Sequence, residues 1–98
     1  MLTTPAWANI NSITDWNGQS VSVINDNLRA ISSKTGIQQI NTINDLSSPT
    51  SISILNEDIA LIGRQNSIVG LSPITGYNDA NLSVLNDDLA IIGQNTGA

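Results

Sequence analysis

Acidic side chains recur at regular intervals along this chain and are its best candidates for a chemical site. They fall into three groups spaced 30 or 31 residues apart, namely Asp26, then Glu57 with Asp58, then Asp87 with Asp88. Carboxylate oxygens are preferred ligands of Ca²⁺ and Mg²⁺, so groups gathered by the fold would bind a divalent cation. The alternative interpretation is a solvated outer helix face. The spacing matches no EF-hand loop, and the sequence therefore predicts an outer face and no metal site.

The residue types that activate nucleophiles are missing from the sequence. It contains no His and no Cys, and Lys34 is its one lysine. A serine would have almost no base to activate it, and no glycine-rich phosphate loop is present. We therefore predict no catalytic residue, no cofactor and no enzymatic activity.

These residues lie in three tandem copies of a unit about 30 residues long. The second halves read VSVINDNLRAIS at 21–32, ISILNEDIALIG at 52–63 and LSVLNDDLAIIG at 82–93. The first halves end in ITDW at 13–16, INDL at 43–46 and ITGY at 74–77. Agreement this regular indicates internal duplication.

The second half of each unit has the 3-4-3 apolar spacing of a short heptad helix. The stripe consists of Val21, Ile24, Leu28, Ile31, Ile52, Leu55, Ile59, Ile62, Leu82, Leu85, Leu89 and Ile92. Ser20, Thr50 or Ser51, and Asn81 precede the stripes and are the predicted N-caps. Gly63 and Gly93 follow two of the stripes and are the predicted helix ends. A β-hairpin is the competing interpretation, since V-S-V, I-S-I and L-S-V also alternate with period 2.

The first half of each unit has an apolar residue at every third position. The rows are Trp7, Ile10, Ile13 and Trp16, then Ile37, Ile40, Ile43 and Leu46, then Ile68, Leu71, Ile74 and Tyr77. In the third unit Gly70, Pro73 and Gly76 exclude an α-helix. We expect extended segments here, and loops whose isoleucines fill the core are the alternative.

Helices of about 12 residues with a narrow apolar stripe need partners. Isoleucine-rich a and d positions favour trimers or higher oligomers. The sequence therefore predicts a mainly α protein with extended segments, arranged as an elongated parallel homotrimer with the stripe as its seam. Asn25, Asn56 and Asn86 either reach across this bundle to fix its register or lie on its surface. A monomeric solenoid of the three units is the alternative.

The predicted organisation divides the chain into five parts. An N-terminal docking segment at 1–6 is followed by repeats at 7–32, 37–63 and 68–93, and by a flexible tail at 94–98. Pro5 suits a docking strand, and Trp7 has the character of an interface anchor. Alternatively, Trp7 simply begins the first apolar row.

Composition excludes two classes of partner. The net charge is −5, with only three Lys and Arg, which argues against nucleic-acid binding. No apolar run approaches the roughly 20 residues that span a bilayer. Asn, Ser and Thr supply 33 of the 98 residues, a weakly charged surface that suits a chain locked into an assembly.

The tandem heptads of the form S-x-[IL]-N-[DE]-x-[LI] resemble shaft regions of bacteriophage fibres across residues 7–93. Such fibres are typically parallel homotrimers, attached at the N-terminus and carrying receptor-binding tips at the C-terminus. No tip domain follows the third unit, so the resemblance implies a short fibre, decoration or adaptor element. We therefore expect a structural protein located in the virion, whose partners are itself and other virion proteins. The alternatives are a capsid cement protein and a monomeric repeat module that binds a protein partner.

Overall fold

Three α-helices joined by extended segments make up residues 10–98, the part of the chain that the structure, a computed structural model, describes. The helices are α1 (Gly18–Thr35), α2 (Pro49–Asn66) and α3 (Asp79–Thr96), each of 18 residues. We name the connecting parts segment 1 (10–17), segment 2 (36–48) and segment 3 (67–78). These described residues contain no strand, which confirms the mainly α class and the helix over the hairpin. The predicted docking residues Pro5 and Trp7 lie outside them.

Each helix begins about one turn earlier than the sequence predicted. The N-caps are Asn17, Ser48 and Asn78, which follow the last apolar residue of each period-3 row directly or after one intervening residue. The side chain of Asn17 accepts the N–H groups of Gln19 and Ser20. The prediction of Ser20, Thr50 or Ser51, and Asn81 as caps is wrong because these residues already lie inside the first turn. The chain enters α2 through Pro49, whose fixed φ and missing N–H suit a first helical position.

The helices also end later than predicted. Their C-caps are Gly36, Ser67 and Gly97, all in the left-handed region with φ of 77°, 55° and 80°. The prediction that Gly63 and Gly93 end helices is wrong, because both lie within helices and are buried. A Cβ on Gly63 would come 3.1 Å from Cδ1 of Leu71. This glycine therefore permits close packing of segment 3 on α2.

A single core receives both halves of every unit. Nine stripe residues are buried within the chain, namely Ile24, Leu28, Ile31, Leu55, Ile59, Ile62, Leu85, Leu89 and Ile92. The other three, Val21, Ile52 and Leu82, are partly buried against the same core. The third residue of each period-3 row, Ile13, Ile43 or Ile74, is buried with them. The described residues measure 40 × 29 × 22 Å along their principal axes.

The three helices start at the same end of the molecule. The indole Nε1 of Trp16 donates to the backbone oxygen of Asn78 at 2.8 Å, which places the start of α1 beside that of α3. The hydroxyl of Tyr77 donates to the backbone oxygen of Ser48 at 2.6 Å, which joins the start of α3 to that of α2. The two rings meet edge to face, with centroids 5.2 Å apart. The extended segments therefore return the chain along the helices.

Ser67 is the one residue other than glycine with a positive φ among residues 10–98, so it offers a test of the helix ends. Its counterparts in the other units are Gly36 and Gly97. We expect Ser67→Gly to raise the free energy of unfolding by about 1 kcal/mol, because a side chain in the left-handed region is strained. The matched control is Ser33→Gly at an exposed site within α1, which should lower it by about 0.5–1 kcal/mol. Urea unfolding followed by circular dichroism measures both; a loss of stability in Ser67→Gly would contradict the αL cap.

Candidate functional site: side-chain clamps between helices and extended segments

The extended segments have no strand partner, so their buried backbone groups must bond to something else. A recurring asparagine supplies those bonds. In α1, Oδ1 of Asn25 accepts the Ile43 N–H at 2.9 Å while Nδ2 donates to the Ile43 carbonyl at 2.9 Å. An amide can do this because it carries both a donor and an acceptor. We use the word clamp for a helix side chain that hydrogen-bonds in this way to the backbone of an extended segment, through one bond or two.

The same clamp occurs in the other two helices and links the units in a closed circle. Asn56 of α2 holds the N–H and carbonyl of Ile74, both at 2.9 Å. Asn86 of α3 holds those of Ile13 at 2.9 and 2.8 Å, although the two residues are 73 positions apart. Helices α1 and α2 thus bind the segment that follows them, whereas α3 binds the segment that begins the described chain.

A second clamp, two residues further along each helix, holds the segment that leads into that helix. Asn27 accepts the Asn11 N–H at 2.9 Å and donates to the Asn11 carbonyl at 2.8 Å. At the equivalent positions Asp58 accepts the Asn41 N–H, and Asp88 accepts that of Ser72, each at 2.9 Å. Every segment is therefore held between two helices, by one clamp from each.

The two aspartates of this second set are buried carboxyls with an unmatched oxygen. Asp58 and Asp88 are only 2% and 1% exposed, and Oδ2 of each has no hydrogen-bond partner. Burial raises the pKa of Asp58 to about 6; the Asn41 N–H opposes the shift and the charge of Glu57 adds to it. Burial likewise raises the pKa of Asp88, opposed by the Ser72 N–H and assisted by Asp87.

The prediction of a solvated acidic face is therefore wrong for Asp58 and Asp88. An i, i+1 pair points in two directions on a helix, so one carboxyl of each pair turns inward against a segment. Their neighbours Glu57 and Asp87, and Asp26 in α1, are not buried. Across residues 10–98 no three His, Cys, Asp or Glu side chains are grouped so as to hold a metal ion. Nor is any helix in this part of the chain long and apolar enough for a bilayer.

A different carboxylate fastens the start of α2. Oδ1 of Asp45 accepts hydrogen bonds from the backbone N–H groups of Ser47 and Ser48 and from the hydroxyls of Ser48 and Ser51. The Ser47 N–H, together with these other donors, lowers the pKa of Asp45. The pKa of this carboxyl is thus shifted in the direction opposite to that of the two buried aspartates.

Sequence reasoning found half of the clamp system. It singled out Asn25, Asn56 and Asn86 as register-fixing or surface residues, and the structure shows all three bonded to backbone of extended segments. It missed the roles of Asn27, Asp58 and Asp88. The signal was present, because the pattern N-x-[ND] recurs in all three units and carries an amide or carboxyl at both positions.

An open apolar groove lies between α2 and segment 3. It has a volume of about 640 Å³ and is lined by Ile59, Ala60, Gly63, Arg64, Ile68, Val69 and Leu71 among others. Val69 is 87% exposed, the one large apolar side chain among residues 10–98 that is fully open to solvent. The groove is therefore a mainly apolar surface.

Closure of the circle by Asn86 can be tested against the two clamps between consecutive units. We expect Asn86→Ala to lower the free energy of unfolding by about 2–4 kcal/mol, because two buried backbone groups of Ile13 lose their partners. Asn25→Ala and Asn56→Ala should cost about as much. Asn44, which is exposed, is the control, and Asn44→Ala should change the free energy of unfolding by less than about 0.5 kcal/mol. Chemical unfolding measures all four; a neutral Asn86→Ala beside two costly variants would mean that segment 1 does not dock on α3.

Comparison of the chain with protein-family models, with curated proteins and with solved structures finds no match in any of the three.

Proposed function

We propose that this chain is a non-enzymatic structural protein of a phage virion, a decoration or adaptor element that acts as a compact single-chain unit. The main support for the compact form is that nine of the twelve stripe residues are buried within one chain. The clamp by which Asn86 holds Ile13 supports it further, because it joins the last helix to the first segment. The virion role is supported by the resemblance of the repeats to phage fibre shafts.

The composition agrees with a role as an architectural part. The sequence has no His or Cys to serve catalysis, and its surface relies on amide and hydroxyl groups rather than charge. Many of its polar side chains hold backbone, as the clamps and caps illustrate. A decoration element must also contact other virion proteins, and the groove at Val69 offers an apolar surface for such contacts.

The elongated parallel homotrimer uses the same stripes for a different purpose. In that arrangement Ile24, Leu55 and Leu85 would face other chains, whereas in the compact unit they pack into the core of their own chain. Each is at most 1% exposed within a single chain. A trimeric shaft would therefore have to open this core before assembling, which favours the compact unit.

The oligomeric state distinguishes the two forms. We expect sedimentation velocity with multi-angle light scattering to give the mass of one chain, 10.3 kDa, with a compact frictional ratio. The reason is that the apolar stripes are already buried within one chain and leave little apolar surface for contacts between chains. A mass three times larger with an elongated frictional ratio would contradict the compact unit and support the shaft.

The virion role requires a separate test on particles. Phage encoding this chain would be purified by density gradient and analysed by mass spectrometry for the tryptic peptide that follows Arg64. We expect the peptide in the particle fraction at a fixed ratio to the major capsid protein. Its recovery only from the soluble lysate, with none on particles, would contradict a structural role in the virion.

A further inference from the structure

The second set of clamps contains one amide and two carboxyls in equivalent places. Asn27 makes two hydrogen bonds to Asn11, one as acceptor and one as donor. Asp58 and Asp88 make only the accepting bond, to the N–H of Asn41 and Ser72. Their second oxygens are buried without a hydrogen-bond partner, whereas the corresponding side-chain atom of Asn27, Nδ2, donates to a backbone carbonyl.

An ionised carboxylate is a poor fit for this place. It has no proton to donate, so Oδ2 is buried with its hydrogen-bonding capacity unused, at a cost in stability. A protonated carboxylic acid has one O–H donor in addition to its acceptor. It therefore reproduces the donor–acceptor pair of the Asn27 amide.

We propose that Asp58 and Asp88 are proton-operated clamps, in which each neutral carboxylic acid donates from Oδ2 to the carbonyl of Asn41 or Ser72. The proton comes from solvent, and its loss as the pH rises towards neutral breaks that one bond while the accepted N–H bond remains. The protein thereby gains stability on mild acidification. This inference concerns the chain itself and does not depend on the virion role.

The surroundings of the two carboxyls contain no compensating cation among the described residues. On their own helices the charges that act on them are those of Glu57 and Asp87, and both are negative. Segment 2 contributes the Asn41 N–H, and its carboxylate Asp45 is engaged at the start of α2. Segment 3 contributes the Ser72 N–H, and the hydroxyl of its one titratable residue, Tyr77, is bonded to Ser48.

The remaining charges of the described helices lie elsewhere. Asp26 of α1 pairs with Arg29 at 2.8 Å on the surface. Lys34 lies against the C-cap of α3 at Gly97. Arg64 of α2 is exposed at the groove. None of these three cations is among the groups that shift the two buried carboxyls.

The direction of the pH dependence follows from the raised pKa of the folded state. A carboxyl that titrates near 6 when folded and near 3.8 when unfolded binds its proton more tightly in the folded protein. Its stabilising contribution is therefore complete below the unfolded value and is lost as pH rises through about 6. Between pH 7 and pH 5 Asp58 alone raises the folding equilibrium constant about tenfold, and Asp88 acts in the same direction.

The test compares urea unfolding of the full chain at pH 7 and pH 5. The wild type should be more stable at pH 5, by at least about tenfold in the folding equilibrium constant. The double variant Asp58→Asn with Asp88→Asn should lose this gain and should be more stable than the wild type at pH 7. Asp26→Asn, which alters a surface acid beside Asn27, is the matched control and should keep the gain.

The reverse substitution tests the same idea by adding a clamp of this type. Asn27→Asp should be less stable than the wild type at pH 7 and should recover at pH 5, giving a steeper pH dependence. Full retention of the wild-type gain by the double variant, or equal stability of Asn27→Asp at both pH values, would overturn the proposal. If the double variant fails to fold, carbon-13 NMR titration of the wild-type carboxyls decides. Midpoints for Asp58 and Asp88 near the ordinary aspartate value would overturn it.

Discussion

The fold depends on side chains that hydrogen-bond the backbone of extended segments. Segments 1–3 form no sheet, so nothing in regular secondary structure pairs their buried N–H and carbonyl groups. A helix satisfies its own backbone, but these segments do not, and an unpaired buried group costs about 1–3 kcal/mol. Polar side chains on the helices meet that need from both sides of each segment. The hydrophobic core can therefore include Ile13, Ile43 and Ile74 only because the clamps accompany them.

The clamps also set the order of the units around the core. Helices α1 and α2 each hold the segment that directly follows them in the chain. Forming those contacts therefore closes only a short loop and costs little entropy. Asn86 instead holds Ile13 across nearly the whole described chain, and closing so long a loop carries the larger entropic cost. Neighbouring contacts help to offset that entropic cost, because Trp16 donates a hydrogen bond to the start of α3 and packs edge to face against Tyr77. The closing contact is thus a cluster of interactions rather than one.

The helices and most of the core residues could be predicted from the sequence, because a 3-4-3 apolar stripe matches the period of an α-helix over its whole length. Helix ends were harder, since Ser20, Ser51 and Asn81 are good caps by type but lie one turn inside the helix. Only the position of the extended segment decides which polar residue starts the helix. The prediction that Gly63 ends a helix was wrong for a similar reason. Glycine occurs both at helix ends and where elements pack closely, and the sequence alone does not distinguish the two.

The clamps were predictable in kind but not in partner. The recurrence of Asn25, Asn56 and Asn86 signalled a shared polar role, yet nothing local indicates that the partner of the first two is backbone 18 residues ahead. The inward position of Asp58 was less visible still. Beside Glu57 it looks like half of a solvated pair, and only the packing of segment 2 against α2 separates the two carboxyls. Partners distant in sequence are the information that a periodic pattern lacks.

Placing three units in one chain also allows them to differ, which three identical chains would not. The second clamp is an amide in α1 and a carboxyl in α2 and α3, so proton uptake is confined to two of three equivalent places. The apolar groove likewise lies between the second and third units, beside Gly63 and Val69, where segment 3 lies close to α2. In a symmetric trimer of single-unit chains every such feature would appear three times. The loss of stability that a buried carboxyl causes when it is ionised would then also occur three times. Asn27 limits that cost by holding its segment with two bonds at every pH.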